Sequence, residues 1–377
     1  MTLSTAVEAR GRSKARYELL RKQLLSRGKF TEDGHKKYAR MLKRMNRLGH
    51  KKFRGVKITS AEQPEVSSFE STNPMESADL FEGDILLTPP QMNQVERSAE
   101  AAIARDAHGR SKRKLITNEF FRWTMPVSYA IGGVDSAIVR AAVKLWEDNT
   151  CVSFQELSSC NGDCIEFFAG EGCYSYIGRI GDTQPLSLGS GCEHLGIAAH
   201  ELGHALGLWH EQSRPDRDSY IRVLTDNIHP DALGNFLKQS SSNVEIYDIP
   251  YDFGSVMHYG PTAFATVRGT TTIETIDPLY QRTIGQRETV SFYDVKFINN
   301  AYCSEVCPTA LPCQNNGYTD PSSSICDKCR CPTGFGGTLC DVAEVTTSVC
   351  GEINLDATDD WQTIAKSGSA DCNWLIK

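Results

Sequence analysis

The sequence predicts an α+β protein in which a small sheet with a backing helix is followed by a histidine-rich helix and then by a small disulfide-rich region. The first observation is a series of short β-rich segments separated by Gly and Cys turns, at 126–131, 152–157, 165–168 and 174–177. The second is helical apolar spacing over 134–146, followed by a proline-free segment rich in Ala, Leu, Ile and Glu over 194–206. The third is an even number of cysteines, 14, all located after residue 150. A chain of 377 residues exceeds one typical domain, and two or more units are expected.

Residues 10–57 are strongly basic, with 18 Lys and Arg against three acidic residues, whereas the whole chain has a formal charge of -7. Apolar residues at helical spacing predict a pair of amphipathic helices: Tyr17, Leu20, Leu24, Tyr38, Leu42 and Met45. One interpretation is binding to nucleic acid or to a membrane surface, and binding to nucleic acid predicts steeply salt-dependent retention on DNA. The other is a solvated helical segment. We favour the second and expect no nucleic-acid partner, because no nucleic-acid motif accompanies the charge.

The composition outside the basic region gives expectations about flexibility and about targeting. Residues 59–79 are rich in Ser, Glu, Pro and Thr and predict a flexible linker. The sequence contains no run of 18 apolar residues, and we expect no membrane span. Residues 1–29 lack an apolar core of 7 residues, so a signal peptide is not evident in this sequence. The cysteine content nevertheless favours a secreted, extracellular protein.

The segment His200-Glu201-Leu202-Gly203-His204-Ala205-Leu206-Gly207-Leu208-Trp209-His210 has the spacing of a metal-dependent hydrolase site. On a helix, His200 and His204 lie on one face, and Gly207 is placed where the helix ends and the chain can bring His210 back toward them. Three neutral imidazoles suit one Zn²⁺ ion and leave positions open for water and substrate. Glu201 lies about 100° around the helix from His200, where it can take a proton from the activated water without binding the metal. The alternative, a buried helix with unrelated histidines, is disfavoured because so many residues fit the pattern.

Two features later in the sequence narrow the class of metal-dependent hydrolase. Glu211 directly follows the third histidine, and residues 251–259 read Tyr-Asp-Phe-Gly-Ser-Val-Met-His-Tyr. Together with the histidine segment they resemble the astacin family of zinc endopeptidases, a metzincin family, over about residues 81–303. The resemblance implies a two-lobed catalytic domain with a mixed sheet and a zinc helix, and one zinc ion per domain. It also implies that Met257 forms a hydrophobic floor beneath the metal and that Tyr259 is a switchable ligand that stabilises the oxyanion.

The same resemblance assigns residues 1–113 to a pro-segment, made of the basic helical region 10–57, the linker 59–79 and an aspartate-switch region at 81–84. The last of these reads Phe81-Glu82-Gly83-Asp84 and matches a motif of astacin pro-segments. In that motif the aspartate, here Asp84, binds the zinc of the zymogen in place of the catalytic water. A bare Gly-Asp pair is more often a turn, but its position upstream of the catalytic residues favours the switch.

Activation and substrate contact are implied in the same way. Arg110-Ser111-Lys112-Arg113 resembles a proprotein-convertase site, which would release a mature enzyme that starts near Lys114 or slightly beyond and begins with the catalytic domain of residues 114–303. In the family the mature amino terminus is buried near the glutamate after the third histidine, here Glu211. The strand near Ser175 is implied to form the edge of the cleft, where extended substrate pairs main chain to main chain.

The cysteines divide into three groups by resemblance, and their even number favours disulfides over metal ligation. In the catalytic domain the resemblance implies the pairs Cys151–Cys303 and Cys173–Cys192, and the leftover pair, Cys160–Cys164, is additional to the family pattern and is expected to close a small loop. Residues 304–341 resemble an EGF-like module, without an expected calcium site, whose implied pairs are Cys307–Cys326, Cys313–Cys329 and Cys331–Cys340. Residues 350–377 resemble the start of a truncated CUB domain with the pair Cys350–Cys372.

These features predict a secreted zinc endopeptidase, made as a zymogen, that cleaves extended segments of extracellular proteins. The modules after the catalytic domain resemble those of nematode-type and procollagen-processing astacins and suggest matrix or cuticle proteins as substrates, by analogy. The alternative is a catalytically inert adhesion or scaffold protein that uses its EGF-like and CUB modules. Inactive relatives generally lose a ligand or the glutamate, and all of these residues are present here. A peptide-hydrolysis assay of the processed protein, with and without chelator, separates the two.

Overall fold

The computed structural model of the chain describes residues 3–27, 30–59, 69, 71–104, 115–116, 119–240, 244–322, 325–345, 350–359, 361, 363–365 and 372–376. The chain divides into two units, one of residues 1–147 and 152–297 and the other of residues 148–151 and 298–377. The sheet, the histidine segment and both basic helices belong to the first unit.

Six α-helices lie within these residues: α1 (Leu3–Ser26), α2 (Glu32–Arg54), α3 (Pro89–Ala104), α4 (Ser136–Glu147), α5 (Leu195–Ala205) and α6 (Phe292–Tyr302). The helices predicted over 10–57, 134–146 and 194–206 are confirmed as α1 with α2, α4 and α5. α4 packs its apolar face on α5, and the Trp146 indole donates a hydrogen bond to the carbonyl of Ala199 at 3.1 Å. α4 therefore fixes the position of the helix that carries the histidines.

The first unit contains ten strands among its described residues: β1 (Ile85–Leu86), β2 (Leu115–Ile116), β3 (Val127–Gly132), β4 (Phe154–Leu157), β5 (Cys164–Phe168), β6 (Cys173–Tyr176), β7 (Thr183–Leu188), β8 (Ile221–Val223), β9 (Val244–Glu245) and β10 (Ile273–Thr275). Six of them form one mixed sheet in the order β1-β6-β7-β5-β3-β4. β6 runs antiparallel to β7, and the other neighbours are parallel. The four predicted strands are confirmed as β3 to β6.

β7 was not predicted, because Pro185 stands in its middle and proline argues against a strand inside a sheet. In the structure Pro185 pairs in register with Glu166 of β5. The β6 neighbour on the other side is β1, whose two residues are too few to show a period. Without β7 and β1, the predicted sheet has two strands fewer than the observed one.

The chain after α5 builds a second region from short elements. We call residues 119–147 and 152–206 the upper lobe and residues 207–297 the lower lobe. In the lower lobe β8 pairs antiparallel with β10, and β9 pairs with β2. Short 3-10 helices lie at Glu211–Ser213, Arg217–Ser219, Thr225–Asn227, Pro230–Phe236 and Pro278–Tyr280. Phe236, Tyr259 and Phe264 belong to the hydrophobic core of this region.

The expectation that the basic helices are solvated is wrong. Leu20 and Leu24 of α1 and Tyr38 and Met45 of α2 are buried, in one hydrophobic cluster with Tyr176 of β6. An amphipathic pattern identifies the apolar face of a helix, but it does not say which surface covers that face. Here part of the cover is supplied by the edge of the sheet and by residues 81–86, which we call the switch segment.

Residues 71–79, predicted as the end of a flexible linker, form a packed turn instead. Met75 and Ser77 are buried, and the Asn73 side chain donates to Glu76 Oε1 at 2.9 Å. Glu76 Oε2 accepts a hydrogen bond from the backbone N–H of Phe264 in the lower lobe at 3.2 Å. The Ser and Asn residues that suggested a linker serve here as turn formers. Residues 60–68 and 70 lie outside the described part of the chain.

The second unit is rich in disulfides and has small two-stranded sheets. β11 (Tyr318–Thr319) pairs with β12 (Cys329–Arg330), β13 (Phe335–Gly336) with β14 (Val342–Ala343), and β15 (Asn354–Leu355) with β16 (Leu375–Ile376). Its disulfides are Cys151–Cys303, Cys307–Cys326, Cys313–Cys329, Cys331–Cys340 and Cys350–Cys372. The first unit holds Cys160–Cys164 and Cys173–Cys192. These are the seven pairs expected from the sequence, and every one of the 14 cysteines is in a disulfide. No helix in the described ranges is long and apolar enough to cross a membrane.

Gly196 in the first turn of α5 allows the lower lobe to approach the helix closely. A Cβ atom at this position would lie 1.9 Å from the carbonyl oxygen of Arg287, which is backbone and cannot move aside as a side chain would. We expect Gly196→Ala to lower the free energy of unfolding by about 3 kcal/mol, the upper end of typical overpacking costs. Denaturant unfolding followed by tryptophan fluorescence measures the change.

Gly34→Ala is the matched control, because a Cβ there meets only the Thr31 hydroxyl at 3.2 Å and the Phe30 ring at 3.8 Å. Equal stability of the two alanine variants would contradict the close packing of Gly196.

Candidate metal centre

The three histidines predicted from spacing meet in one buried cluster. α5 places His200 and His204 on the same face, with ring centroids 4.6 Å apart. The helix ends at Ala205, and Gly207 adopts a φ of 106°, which glycine reaches without steric penalty. The chain then turns back, and the His210 ring lies 4.8 Å from that of His204. All three side chains are fully buried.

Each imidazole is oriented by a hydrogen bond from its Nδ1 atom. His200 Nδ1 lies 2.7 Å from the carbonyl oxygen of Val256, and His204 Nδ1 lies 2.8 Å from that of Leu208. His210 Nδ1 lies 2.8 Å from a carboxylate oxygen of Glu82. Carbonyl oxygens accept only, so Nδ1 of the first two histidines carries the proton and their Nε2 lone pairs remain available to a metal.

Asp84 completes the cluster from a distant part of the sequence. Its Oδ2 atom is 3.2 Å from His200 Nε2, and its Oδ1 atom is 3.5 Å from His204 Nε2 and 3.3 Å from His210 Nε2. The four ligand atoms lie within 4.8 Å of one another, and all four residues are buried. Three imidazoles and one carboxylate around a common centre match the ligand types and the number of a tetrahedral zinc site.

Unsatisfied polar atoms support a cation at this centre. Asp84 Oδ1 and the Nε2 atoms of His204 and His210 are buried without a hydrogen bond of acceptable geometry among the described residues. Leaving such atoms unpaired costs about 1–3 kcal/mol each, and a metal ligated by all of them removes the cost. The residues present therefore fit a zinc ion.

The electrostatics of the cluster are consistent with this fit. Burial holds the pKa of His200 well below its ordinary value and lowers that of His204, so both are neutral, the form that binds metals. Burial also acts to lower the pKa of His210, but Asp84 and Glu82 outweigh it and raise the pKa to about 9. The same two carboxylates would stabilise a metal cation. Burial disfavours the charge on Asp84, yet the three imidazoles hold the pKa of Asp84 well below its usual range.

Glu201 lies beside the cluster without joining it. It is fully buried, and neither carboxylate oxygen has a hydrogen-bond partner among the described residues. Burial, followed by the nearby charge of Asp84, raises the pKa of Glu201 well above its ordinary value, while Arg287 acts in the opposite direction. Arg287 donates to the carbonyl of His258 at 3.0 Å. Sequence reasoning did not identify Arg287, because only tertiary folding brings it from the lower lobe to α5.

A tight turn supports α5 from below. Met257 is fully buried, and a Cβ at Gly203 would lie 2.9 Å from its sulfur, so the sulfur rests against α5 at the residue before His204. Asp294 fixes the turn by accepting hydrogen bonds from the Ser255 hydroxyl at 2.6 Å and from the Val256 N–H at 2.8 Å. The role that the resemblance implies for Met257, a floor beneath the metal, stays a prediction.

The other residues singled out from the sequence take distinct positions. The Tyr259 ring lies 4.8 Å from the His210 ring, and its hydroxyl donates to the carbonyl oxygen of Glu82 at 2.6 Å. His258 points away from the cluster and contacts the Tyr251 hydroxyl through Nε2 at 2.8 Å. Glu211 is buried and pairs with Arg214 at 3.1 Å. The convertase-like residues 110–113 and Lys114 lie outside the described residues.

A family model described as Astacin, a peptidase family, matches residues 115–303 of the chain. The chain belongs to the astacin family.

Curated relatives give the same assignment. Zinc metalloproteinase nas-30 from Caenorhabditis elegans is 47% identical over 303 residues, which are 79% of this chain and 40% of the relative. Zinc metalloproteinase nas-34 from the same organism is 44% identical over 329 residues, 81% of this chain and 53% of the relative. The chain thus spans about half the length of these relatives. Among solved structures, high choriolytic enzyme 1, a hatching enzyme zinc-protease from the medaka Oryzias latipes, is 35% identical with a TM-score of 0.47, covering 51% of this chain and 98% of that chain.

The astacin centre contains a second group that sequence reasoning missed, the carboxylate of Glu82. Besides contacting His210, it accepts a hydrogen bond from the Gln239 side chain at 2.7 Å through Oε1. Glu82 adopts a φ of 46°, an uncommon value for a residue with a side chain. Its position between Phe81 and Gly83 is the variable one of the Phe-x-Gly-Asp motif, and no sequence signal marked it.

The strand that the astacin resemblance placed at the cleft edge is already paired. Ser175 of β6 donates its N–H to the carbonyl of Asp84 at 3.0 Å, and β1 continues alongside in parallel register. Ser175 is fully buried as a result. The switch segment therefore covers both the metal cluster and the edge strand.

We expect the purified chain to contain one zinc ion, and His204→Ala to reduce the zinc content to near zero, because removal of one imidazole leaves an incomplete ligand set. Elemental analysis of the protein after dialysis measures the ratio. His194→Ala is the control, since His194 is exposed on the segment that precedes α5 and lies outside the cluster. Equal zinc in the two variants would place the metal elsewhere.

Proposed function

We propose that the chain is a zinc endopeptidase made as a latent precursor, in which residues 1–113 inhibit the catalytic domain of residues 114–303. The observation that carries the proposal is the cluster of His200, His204 and His210 with Asp84, in which three ligands come from the astacin domain and the fourth from the segment before it. The curated relatives are named zinc metalloproteinases, which supports the same reaction class.

In the proposed reaction His200, His204 and His210 hold the ion. Zinc, when bound, supplies the Lewis acidity that makes a water molecule nucleophilic near neutral pH. Glu201 accepts the proton of the attacking water and passes it to the leaving amine. Its carboxylate is held in the buried helix without a competing hydrogen bond among the described residues, which leaves it available for both transfers. Tyr259 donates its hydroxyl hydrogen bond to the oxyanion of the tetrahedral intermediate.

The precursor blocks each of these groups with the same short segment. Asp84 takes the ligand position that water needs, and the Tyr259 hydroxyl is engaged by the carbonyl of Glu82 at 2.6 Å. β1 occupies the edge of β6, where an extended substrate would form main-chain hydrogen bonds. Cleavage by a proprotein convertase at Arg110–Arg113 would begin activation.

The proposed compartment is extracellular. Seven disulfides are typical of secreted proteins, and they favour an oxidising compartment. Residues 304–341 are proposed as an EGF-like module and residues 350–377 as the beginning of a CUB domain. Extended segments of matrix or cuticle proteins are the proposed substrates, by analogy with astacins that carry such modules.

Glu201→Ala should retain zinc and lose turnover by about 10²- to 10⁴-fold, the usual contribution of a general base. The measurements are zinc content and hydrolysis of a quenched peptide after the pro-segment has been cut and removed. Glu193→Ala removes an exposed carboxylate just before α5 and should leave the rate unchanged. A Glu201→Ala rate close to that of the Glu193→Ala control would refute the assignment of the base.

Asp84→Ala in the uncut precursor should raise hydrolysis of a short quenched peptide several-fold above the wild-type precursor, because the ligand position at the metal becomes open to water. The rate should stay below that of the cut enzyme, since β1 still pairs with β6. Asp33→Ala, which removes an exposed carboxylate of α2, is the control. If the uncut Asp84→Ala precursor hydrolyses the peptide as slowly as the wild-type precursor, Asp84 is not the group that inhibits the metal centre.

A further inference from the structure

α2 contacts the lower lobe through a backbone-to-backbone approach. A Cβ atom at Gly49 of α2 would lie 2.7 Å from the backbone of Leu233, and one at Gly234 would lie 2.8 Å from the backbone of Met45 and Asn46. Two glycines that face each other at this distance leave no room for side chains on either surface. The helix and the segment Pro230–Phe236 therefore fit as a matched pair.

Directed hydrogen bonds accompany this fit. The Asn46 side chain donates to the carbonyl of Pro230 at 3.0 Å and accepts from the N–H of Gly234 at 3.1 Å. His50 Nε2 lies 2.9 Å from the same carbonyl of Pro230. At the end of α2, Arg54 donates to the carbonyl of Thr225 at 3.2 Å. A basic helix thus meets a surface of carbonyl acceptors.

α1 contacts the upper lobe through charge. Arg27, the residue directly after α1, forms an ion pair with Glu166 of β5, and its guanidinium lies 3.5 Å from the centroid of the Phe168 ring. Arg16 pairs with Glu171 at 3.1 Å, and the Gln23 side chain accepts the N–H of Glu171 at 2.9 Å. Cation–π contacts and part-buried ion pairs are stronger than exposed ones, and they recognise a basic partner.

The two helices also hold the switch segment from behind. The buried Tyr38 hydroxyl donates to the carbonyl of Ile85 at 2.7 Å and accepts from the N–H of Phe81 at 2.9 Å. Tyr38 therefore ties α2 to both ends of the turn that presents Asp84 to the metal cluster. The helical contacts themselves lie on other surfaces and involve no metal ligand.

We propose that the astacin domain carries a docking surface for a basic helical pair, made of residues 225–236 in the lower lobe and residues 166–171 in the upper lobe. Its occupant is the α1–α2 segment of this chain. The surface retains the pro-segment after the chain is cut, independently of Asp84 and of the metal. No cysteine precedes residue 150, so no disulfide joins the pro-segment to the rest, and this docking is what holds the two pieces together. The inference rests on the proposed function only in taking residues 1–113 as the segment that is cut off.

The docking also accounts for the basic composition without nucleic acid. Arg16, Arg27 and Arg54 are already engaged by the upper and lower lobes. Arg44 of α2 pairs with Glu100 of α3. Part of the positive charge of α1 and α2 is thus engaged by groups of this same chain.

The test uses the full chain with Glu201→Ala, which prevents autolysis, and with the recognition sequence of a site-specific protease inserted between residues 104 and 115. After complete cutting, size-exclusion chromatography over a dilution series measures how much pro-fragment elutes with the remainder. We expect co-elution at micromolar concentration, with and without Asp84→Ala. Separation of the pieces in the parent chain, or separation caused by Asp84→Ala alone, would overturn the proposal.

Two variants probe the surface itself. Asn46→Ala leaves the Gly234 N–H unpaired, and Gly49→Ala forces a Cβ against backbone, so each should raise the dissociation constant of the cut complex about 10-fold or more. Lys51→Ala, exposed on the same helix, and Gly34→Ala are the matched controls and should leave it unchanged. Unfolding of each uncut variant is measured first. If Gly49→Ala does not fold, Asn46→Ala still tests the surface, because alanine is a good helix former in α2.

If both variants bind as the controls do, the surface is not the docking site. Neither readout uses activity or bound zinc. The proposed function is tested separately, on the chain with Glu201 intact and the cut fragment removed. No hydrolysis there would refute the proposed function alone, and release of the fragment at micromolar concentration in the test above would refute only the docking.

Discussion

The structure depends on holding three imidazoles and a carboxylate together in a dry interior. Each of these groups is costly to bury unless every polar atom has a partner, so the surrounding chain is arranged to supply partners at fixed positions. α5 sets the first two rings, the turn at Gly207 returns the third, and the Met257 turn supplies the carbonyl that orients His200. The close approach of Gly196 to Arg287 follows, because the lower lobe must come this near for its turn to reach the helix.

The switch segment supplies several of these partners. Asp84 faces the three Nε2 atoms, Glu82 meets His210 and Tyr259, and β1 caps the edge of the sheet. A segment of six residues, 81–86, thus takes part in ligand geometry, ligand orientation and sheet pairing. Apolar residues of the basic helices pack in the same hydrophobic cluster, and the Tyr38 hydroxyl of α2 bonds to the backbone of its turn.

The sequence predicted what depends on local spacing. The histidine helix, α4, the basic helices and four strands follow from periods of two or 3.6 residues, and the meeting of the three histidines follows from one helix and one glycine. What escaped prediction depends on contacts between distant residues. Pro185 argued against a strand where β7 lies, and Glu82 occupies a position of the motif that no sequence signal marks. The surface that covers the basic helices is formed by residues that are far apart in the sequence. The linker of residues 71–79 was misjudged because turn-forming and linker-forming compositions are alike.

The orienting bonds of the three histidines differ in origin. His200 and His204 donate to peptide carbonyls of the astacin domain itself, which persist after any cut upstream, whereas His210 donates to a carboxylate that belongs to the segment before it. A carboxylate partner makes an imidazole a stronger electron donor than a peptide oxygen does. If the segment before residue 115 is cut off as proposed, the basicity of one histidine of three would change, and a zinc ion held there would be a weaker Lewis acid before the cut than after it.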